Sequence, residues 1–243
     1  MKYATSAKTR VQPSPGAIGI CQCCGSALIA KCGTQKVWHW AHKSKQHCDH
    51  WWENETQWHR DWKNHFPQDW QEVVHVADDG EKHIADVKTP SGLVIEFQHS
   101  YISPDEITAR ESFYQNMIWI VDGRRLKNDL KRFEKGFRSC NWNIFETRTE
   151  HDMNIDEYIS RRWLSLKSKV FFDWGFVEFP GDYTEDGSIA PARETDLVCL
   201  EPREDPNADD EWRYMFNVKR KRLLSAIIGQ SGLPEMPVNI KRL

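Results

Sequence analysis

Residues 83–100, HIADVKTPSGLVIEFQHS, constrain this chain more than any other stretch. IADVK alternates in polarity and LVIEF is almost wholly apolar, so two strands flank Pro90-Ser91-Gly92. Proline suits the first turn position and glycine the position that needs positive φ, which predicts a three-residue hairpin loop. That loop pairs Thr89 with Leu93, and counting outward sets Asp86 opposite Glu96. Directly opposed side chains share a face with Cβ atoms roughly 4.5–5.5 Å apart. Two carboxylates that close repel unless a positive charge lies between them. A divalent cation with oxygen ligands meets that need. An exposed edge hairpin is the competing reading, but Val94, Ile95 and Phe97 favour a central strand.

The flanking elements follow by pattern. Residues 51–66 carry an aromatic stripe of Trp51, Trp58, Trp62 and Phe66 at helical spacing, and Pro67 ends it. Glu55, His59 and Lys63 step by four along one polar line. Either that line is a solvated salt-bridge ladder or it faces Asp86 and Glu96. Residues 70–76 read as a strand. Ser103-Pro104-Asp105-Glu106 is a helix start with a capping box, and the helix runs to about Gln115. It places Arg110 and Tyr114 one turn apart. The run MIWIV at 117–121 is a buried strand. The order is helix, three strands, helix, strand.

Later residues are less patterned. A basic helix is expected over 124–138, a strand near 141–145 and a helix over 158–169. A strand over 170–179 is broken at Gly175, and strands at 196–200 and 212–218 pair. A helix follows the basic run 219–222. Residues 180–194 and 201–211 are acidic and turn-rich, and residues 1–19 form a loose arm or edge strand.

Near the start, Cys21-x-x-Cys24 precedes His39-Trp40-Ala41-His42 and Cys48. A CxxC pair followed by further N/S donors is structural-zinc spacing. Cys21 and Cys24 are the firmest ligands. His42 with Cys48 or His39 completes a set of four, with Cys23, Cys32, His47 and His50 as competitors.

Five of the seven cysteines fall between Cys21 and Cys48, a clustering that indicates metal binding in a reducing compartment rather than a disulfide framework. No apolar run is long enough to span a membrane and no signal-peptide core is evident, so a cytoplasmic protein is expected. A net charge of −3 provides no global basic field, so any nucleic-acid affinity must be local.

The ordered set comprises Cys21, Cys24, HWAH at 39–42, Glu55/His59/Lys63, Ala85-Asp86-Val87, Glu96-Phe97-Gln98-x-Ser100, Ile102-Ser103, Arg110, Tyr114 and the IWIV strand. This set resembles the competence protein CoiA-like family, within the PD-(D/E)xK nuclease superfamily. The resemblance implies a mixed α/β, restriction-endonuclease-like core over residues 51–148. An N-terminal zinc-knuckle region would span 1–50 and a β-rich α+β extension 149–243. It implies a Mg²⁺- or Mn²⁺-dependent deoxyribonuclease whose metal ligands are Asp86 and Glu96. Gln98 stands where such nucleases most often place lysine, and Lys63 or Lys88 is a candidate for the missing cation. Glu55 and His59 complete the catalytic set, while Arg110 and Tyr114 would contact DNA. A DNA-binding module that has lost catalysis is the alternative. A zinc hydrolase and a purely structural interaction protein are the others.

Overall fold

Apolar runs of two kinds, alternating and continuous, sort into two sheets. The computed structural model describes residues 1–44, 48–139, 142–145, 148–151, 159–179, 193–202 and 215–234. The first sheet holds β1 (Ala4–Ser6), β2 (Thr9–Val11), β3 (Ile18–Ile20), β4 (Ala27–Lys31) and β5 (His39–His42), in the order β2-β1-β3-β4-β5. The stretch 1–19, expected as a loose arm or an edge strand, contributes to three strands, closed on a small core of Ala4, Cys21, Leu28 and Trp40.

Among the described residues the second sheet has nine strands. Helix α1 (Gln57–Lys63) precedes β6 (Gln71–Val76), β7 (Lys82–Lys88) and β8 (Val94–Gln98), then α2 (Pro104–Tyr114) and β9 (Met117–Asp122). This is the expected order. Beyond it come α3 (Lys127–Ser139), β10 (Trp142–Phe145), β11 (Arg148–His151), β12 (Val170–Phe179), β13 (Arg193–Leu200), β14 (Met215–Val218) and α4 (Arg220–Ile228). The strand order is β10-β11-β14-β13-β12-β9-β8-β7-β6, so the later strands extend the same sheet. Strands β8, β9 and β12 are mutually parallel and central. Every residue of β8 is buried, as a strand covered on both faces requires.

One face carries Val94, Trp119, Val121, Tyr114 and Phe172. The other packs Ile95, Phe97, Ile118 and Ile120 against Trp62 and Phe66 of the α1 segment and Leu223 and Ile227 of α4. Strand β12 bends where Gly175 takes φ +66°, and its register with β13 shifts between Asp173 and Val177. Strand β13 pairs antiparallel with β14, as the sequence suggested.

Two helices differ from expectation. Helix α1 starts at Gln57 rather than 51, because Thr56 caps it and His59 closes a reciprocal capping box. Trp51 is thus off the helical stripe and lies in the opposite core, stacked on His83. In place of the α-helix expected over 158–169 there is only a 3-10 turn, Arg161–Trp163, among the described residues. Trp163 and Leu166 fold into the core, so the basic face is not carried on a helix there. His47, Tyr158 and most of the acidic stretches 180–194 and 201–211 lie outside the described residues.

Candidate metal and catalytic centre

The hairpin turn forms as its residues dictate. Thr89 N–H donates to the Leu93 carbonyl at 2.9 Å, Gly92 N–H donates to Thr89 at 2.9 Å, and Gly92 takes φ +87°. The register then runs Lys88↔Val94 and Val87↔Ile95. At the next pair, Asp86 and Glu96, the two side chains take over from the backbone ladder. Asp86 N–H donates to Glu96 Oε1 at 3.1 Å, and Phe97 N–H donates to Asp86 Oδ2 at 3.0 Å. Strand β7 also changes face here, since Val87 belongs to the α1-side core and Ala85 to the α2-side core. The neighbouring β6 bends at Glu72, which sits at φ +47°.

This opening is a cavity of about 70 Å³. Asp49, Glu53, Glu55, Glu72, Asp86 and Glu96 line it, against Lys63, Arg110 and the Met1 amino group. Lysine comes from the last turn of α1. Its Nζ lies 2.8 Å from Asp86 Oδ1, 3.2 Å from Glu72 Oε1 and 3.7 Å from Glu55 Oε1. Glu72 is held in turn by the backbone N–H groups of Lys2 (2.6 Å) and Tyr3 (3.0 Å), so the N-terminal strand braces the site. From α2, Arg110 Nη1 donates to Glu96 Oε2 at 2.8 Å, and Nη2 donates to the Trp51 carbonyl at 2.7 Å. Helix α2 is fixed by Ser103, whose hydroxyl accepts from Glu106 N–H at 3.1 Å. The Glu106 carboxylate serves Arg110 instead of closing a capping box. Tyr114 lines the cavity, packed against Trp51 and Phe113.

Charge divides the two carboxyl groups. Burial, then the charge of Asp86, push Glu96 up to about 8 despite Arg110. Burial acts the same way on Asp86, but Lys63 and His59 outweigh it and hold that carboxylate below its ordinary value. Burial opposes the charge on Lys63, yet Asp86, Glu55 and Glu72 keep its pKa well above normal. His59 is lowered by burial in spite of Asp86 and Glu53. Its bonding matches a neutral ring: Nε2–H meets the Phe97 carbonyl at 3.1 Å, while Nδ1 takes Thr56 N–H at 3.3 Å. Both nitrogens are committed, so His59 positions β8 against α1.

Gln98 donates Nε2–H to Glu53 Oε2 (2.9 Å) and to the Ser100 carbonyl (3.0 Å). Both partners are acceptors, so its Oε1 points elsewhere, buried and without a partner among the described residues. Glu55 Oε2 is likewise buried without a hydrogen bond. A surplus of carboxylates around the cavity suits a hard cation with its waters. The residues therefore fit Mg²⁺ or Mn²⁺, although Asp86 and Glu96 already hold a basic side chain each. Glu53, Glu72 and Asp49 had no sequence signal: each acts through a contact far along the chain.

The N-terminal sheet builds a second cluster. Cys21 N–H donates to Ser26 and Gly25 N–H donates to Cys21, a tight turn with Gly25 at φ +73°. Strand β5 brings His42 opposite Leu28. The donor atoms of Cys21, Cys24, His42 and Cys48 all lie within 4.8 Å of one another. His39 is outside this set, with Nδ1 2.9 Å from the Val37 carbonyl. Burial raises Cys21 and Cys48, whereas Ser26 and His42 overcome burial to draw Cys24 down to about 6. Such a set of thiols and imidazole suits a soft-to-borderline divalent ion. Next to Cys48, Asp49 accepts from Trp51 N–H and Ile84 N–H, both at 2.9 Å, and joins this cluster to β7.

Residues 20–50 match the family model of the Competence protein CoiA, N-terminal domain. Residues 84–172 match that of the Competence protein CoiA, nuclease-like domain. No curated protein and no solved structure matches the chain.

Proposed function

Since the chain belongs to the competence protein CoiA-like family, we propose that it hydrolyses DNA phosphodiester bonds with a divalent metal at Asp86 and Glu96. The observation that carries this reading is the junction at β7 and β8, where both carboxylates leave the ladder and line one acidic cavity. Asp86 and Glu96 would hold Mg²⁺ or Mn²⁺, which when bound acts as a Lewis acid on the phosphate and makes a bound water more acidic. Lys63 keeps Asp86 ionised and stands in for the lysine that Gln98 replaces. Gln98 lines the neighbouring cleft, where Glu53 fixes its amide. Arg110 orients Glu96, and Tyr114 walls the cavity. Glu55, whose Oε2 makes no hydrogen bond and faces the Met1 amino group at 3.9 Å, would add negative charge for the ion or its waters. Zinc at Cys21, Cys24, His42 and Cys48 would be structural, because four N/S ligands leave no open position.

The test is cleavage of linear, circular and single-stranded DNA with Mg²⁺ or Mn²⁺. The wild type should cut at least one of these, and Asp86→Ala should lose about 100-fold or more in rate. Wild type and Asp86→Ala equally inert, with DNA binding retained, would establish the second reading, a non-catalytic DNA-binding module. That reading is favoured by Gln98 in the lysine position and by the cations already seated on Asp86 and Glu96.

A further inference from the structure

At the C-terminal ends of β8 and β9 lies a second acid–base pair. The parallel register sets Gln98 beside Val121, so His99 and Asp122 come next to each other where the β8–β9 pairing ends. His99 Nδ1 is 2.8 Å from Asp122 Oδ2. Asp122 Oδ1 accepts from Arg124 N–H at 3.0 Å, which fixes the carboxylate. A carboxylate that takes Nδ1–H leaves Nε2 as the exchanging nitrogen. No described residue bonds Nε2, and the side chain is 20% exposed. The ring is held against Trp58 at 5.9 Å and His59 at 5.6 Å between centroids.

His99 opens into a cleft that Gln98, Ser100, Asp129 and Arg162 also line. Glu53 joins this cleft to the acidic cavity: it accepts from the Gln98 amide and, at 2.8 Å, from Ser100 N–H. The groups facing the imidazole are Asp122 from β9 and His59 from α1, with Asp129 and Arg162 on the cleft wall. On the nuclease reading the carboxylates of the acidic cavity would hold the metal, and no residue given a role there supplies a proton to the departing sugar oxygen.

We propose that His99 is the general acid of the reaction and that Asp122 is its positioning residue. The assignment rests on the nuclease reading above. Water bonds to phosphorus and releases its proton to solvent. The P–O bond to the sugar breaks with its electron pair on the sugar oxygen. The Nε2 proton of the His99 imidazolium moves to that oxygen, and the neutral ring is reprotonated from solvent.

The experiment compares ordinary DNA with the same oligonucleotide carrying sulfur as the bridging leaving atom, 3′ or 5′, because a thiolate departs without a proton. His99→Gln should lose about 100-fold on the oxygen-bridged substrate, within the usual range for acid–base catalysis, and stay within about threefold of wild type on the sulfur-bridged one. Asp122→Asn should show the same selective rescue, with the wild-type Nδ1–H tautomer lost in ¹⁵N NMR. Equal losses on both substrates, or no loss, would overturn the proposal. Asp86→Asn should be inert on both. A wild type that cuts neither substrate would fail the nuclease reading itself and remove His99 with it.

Discussion

Asp86 and Glu96 are chemically alike, yet their surroundings drive their protons in opposite directions. Lys63 keeps Asp86 ionised, while burial and the Asp86 charge favour a proton on Glu96. The sign of the consequence is fixed by linkage. Glu96 rises from an unfolded value of roughly 4.3 to about 8 in the fold. Its bound proton therefore contributes stability in full below that unfolded value, and the contribution is lost as pH climbs through about 8. Glu96→Gln has no such titration, so in magnesium-free buffer it should gain on the wild type by up to roughly 1.4 kcal/mol per pH unit across that window. Urea unfolding at several pH values checks this, and a difference that stays flat with pH contradicts the assigned cause. Asp86 behaves conversely, adding stability above the ordinary carboxylate range that disappears on acidification. The hairpin register was legible in the sequence because Pro90-Ser91-Gly92 sets it, but the ladder pair of Asp86 with Glu96 that counting gives is replaced by bonds from each side chain to the other strand's backbone. Lys63 was legible as one of two options, from its step of four with Glu55 and His59. Glu72 was not: its positive φ within QEVVHV has no glycine to announce it. Glu53 reaches Gln98 across 45 residues, a contact that no local pattern encodes.

Each element near the centre is set by a neighbour from a distant part of the chain. Helix α1 is aimed by Trp58 and Trp62, whose indole N–H groups both donate to Asp173 of β12 at 2.9 Å. Arg220 of α4 donates to the other oxygen of that carboxylate at 2.9 Å. This explains why the aromatic stripe read correctly as core while the helix start did not. The period continued back through Trp51, but Thr56 provides the cap. The Cys/His cluster acts on the centre through Asp49, one residue past Cys48, which fastens Trp51 and Ile84. Cys24→Ser should cut bound zinc from about one ion per chain to a small fraction, and lower the unfolding temperature by about 10 °C. Metal analysis with a thermal melt measures both. Full zinc retention, or an unchanged melt after zinc is lost, would refute a structural role for this cluster.

At the scale of the whole molecule, strands from both sides of the expected boundary near residue 148 lie in a single sheet, and both apolar cores run across it. The nuclease-like order of elements came from turn and periodicity signals, but the long β12–β13–β14 meander was visible only in part, because its pairing is fixed by packing against β9. Among the described residues no helix is long and apolar enough to cross a membrane. With a net charge of −3, the acidic centre is a poor partner for DNA until its charge is offset. A divalent ion is therefore the step on which the account turns. Manganese binding to zinc-loaded protein, followed by electron paramagnetic resonance, tests it most directly. The wild type should bind one Mn²⁺, and Asp86→Asn and Glu96→Gln should abolish that binding while the zinc stays in place. Binding by both variants equal to the wild type, or none by the wild type at millimolar manganese, would contradict it.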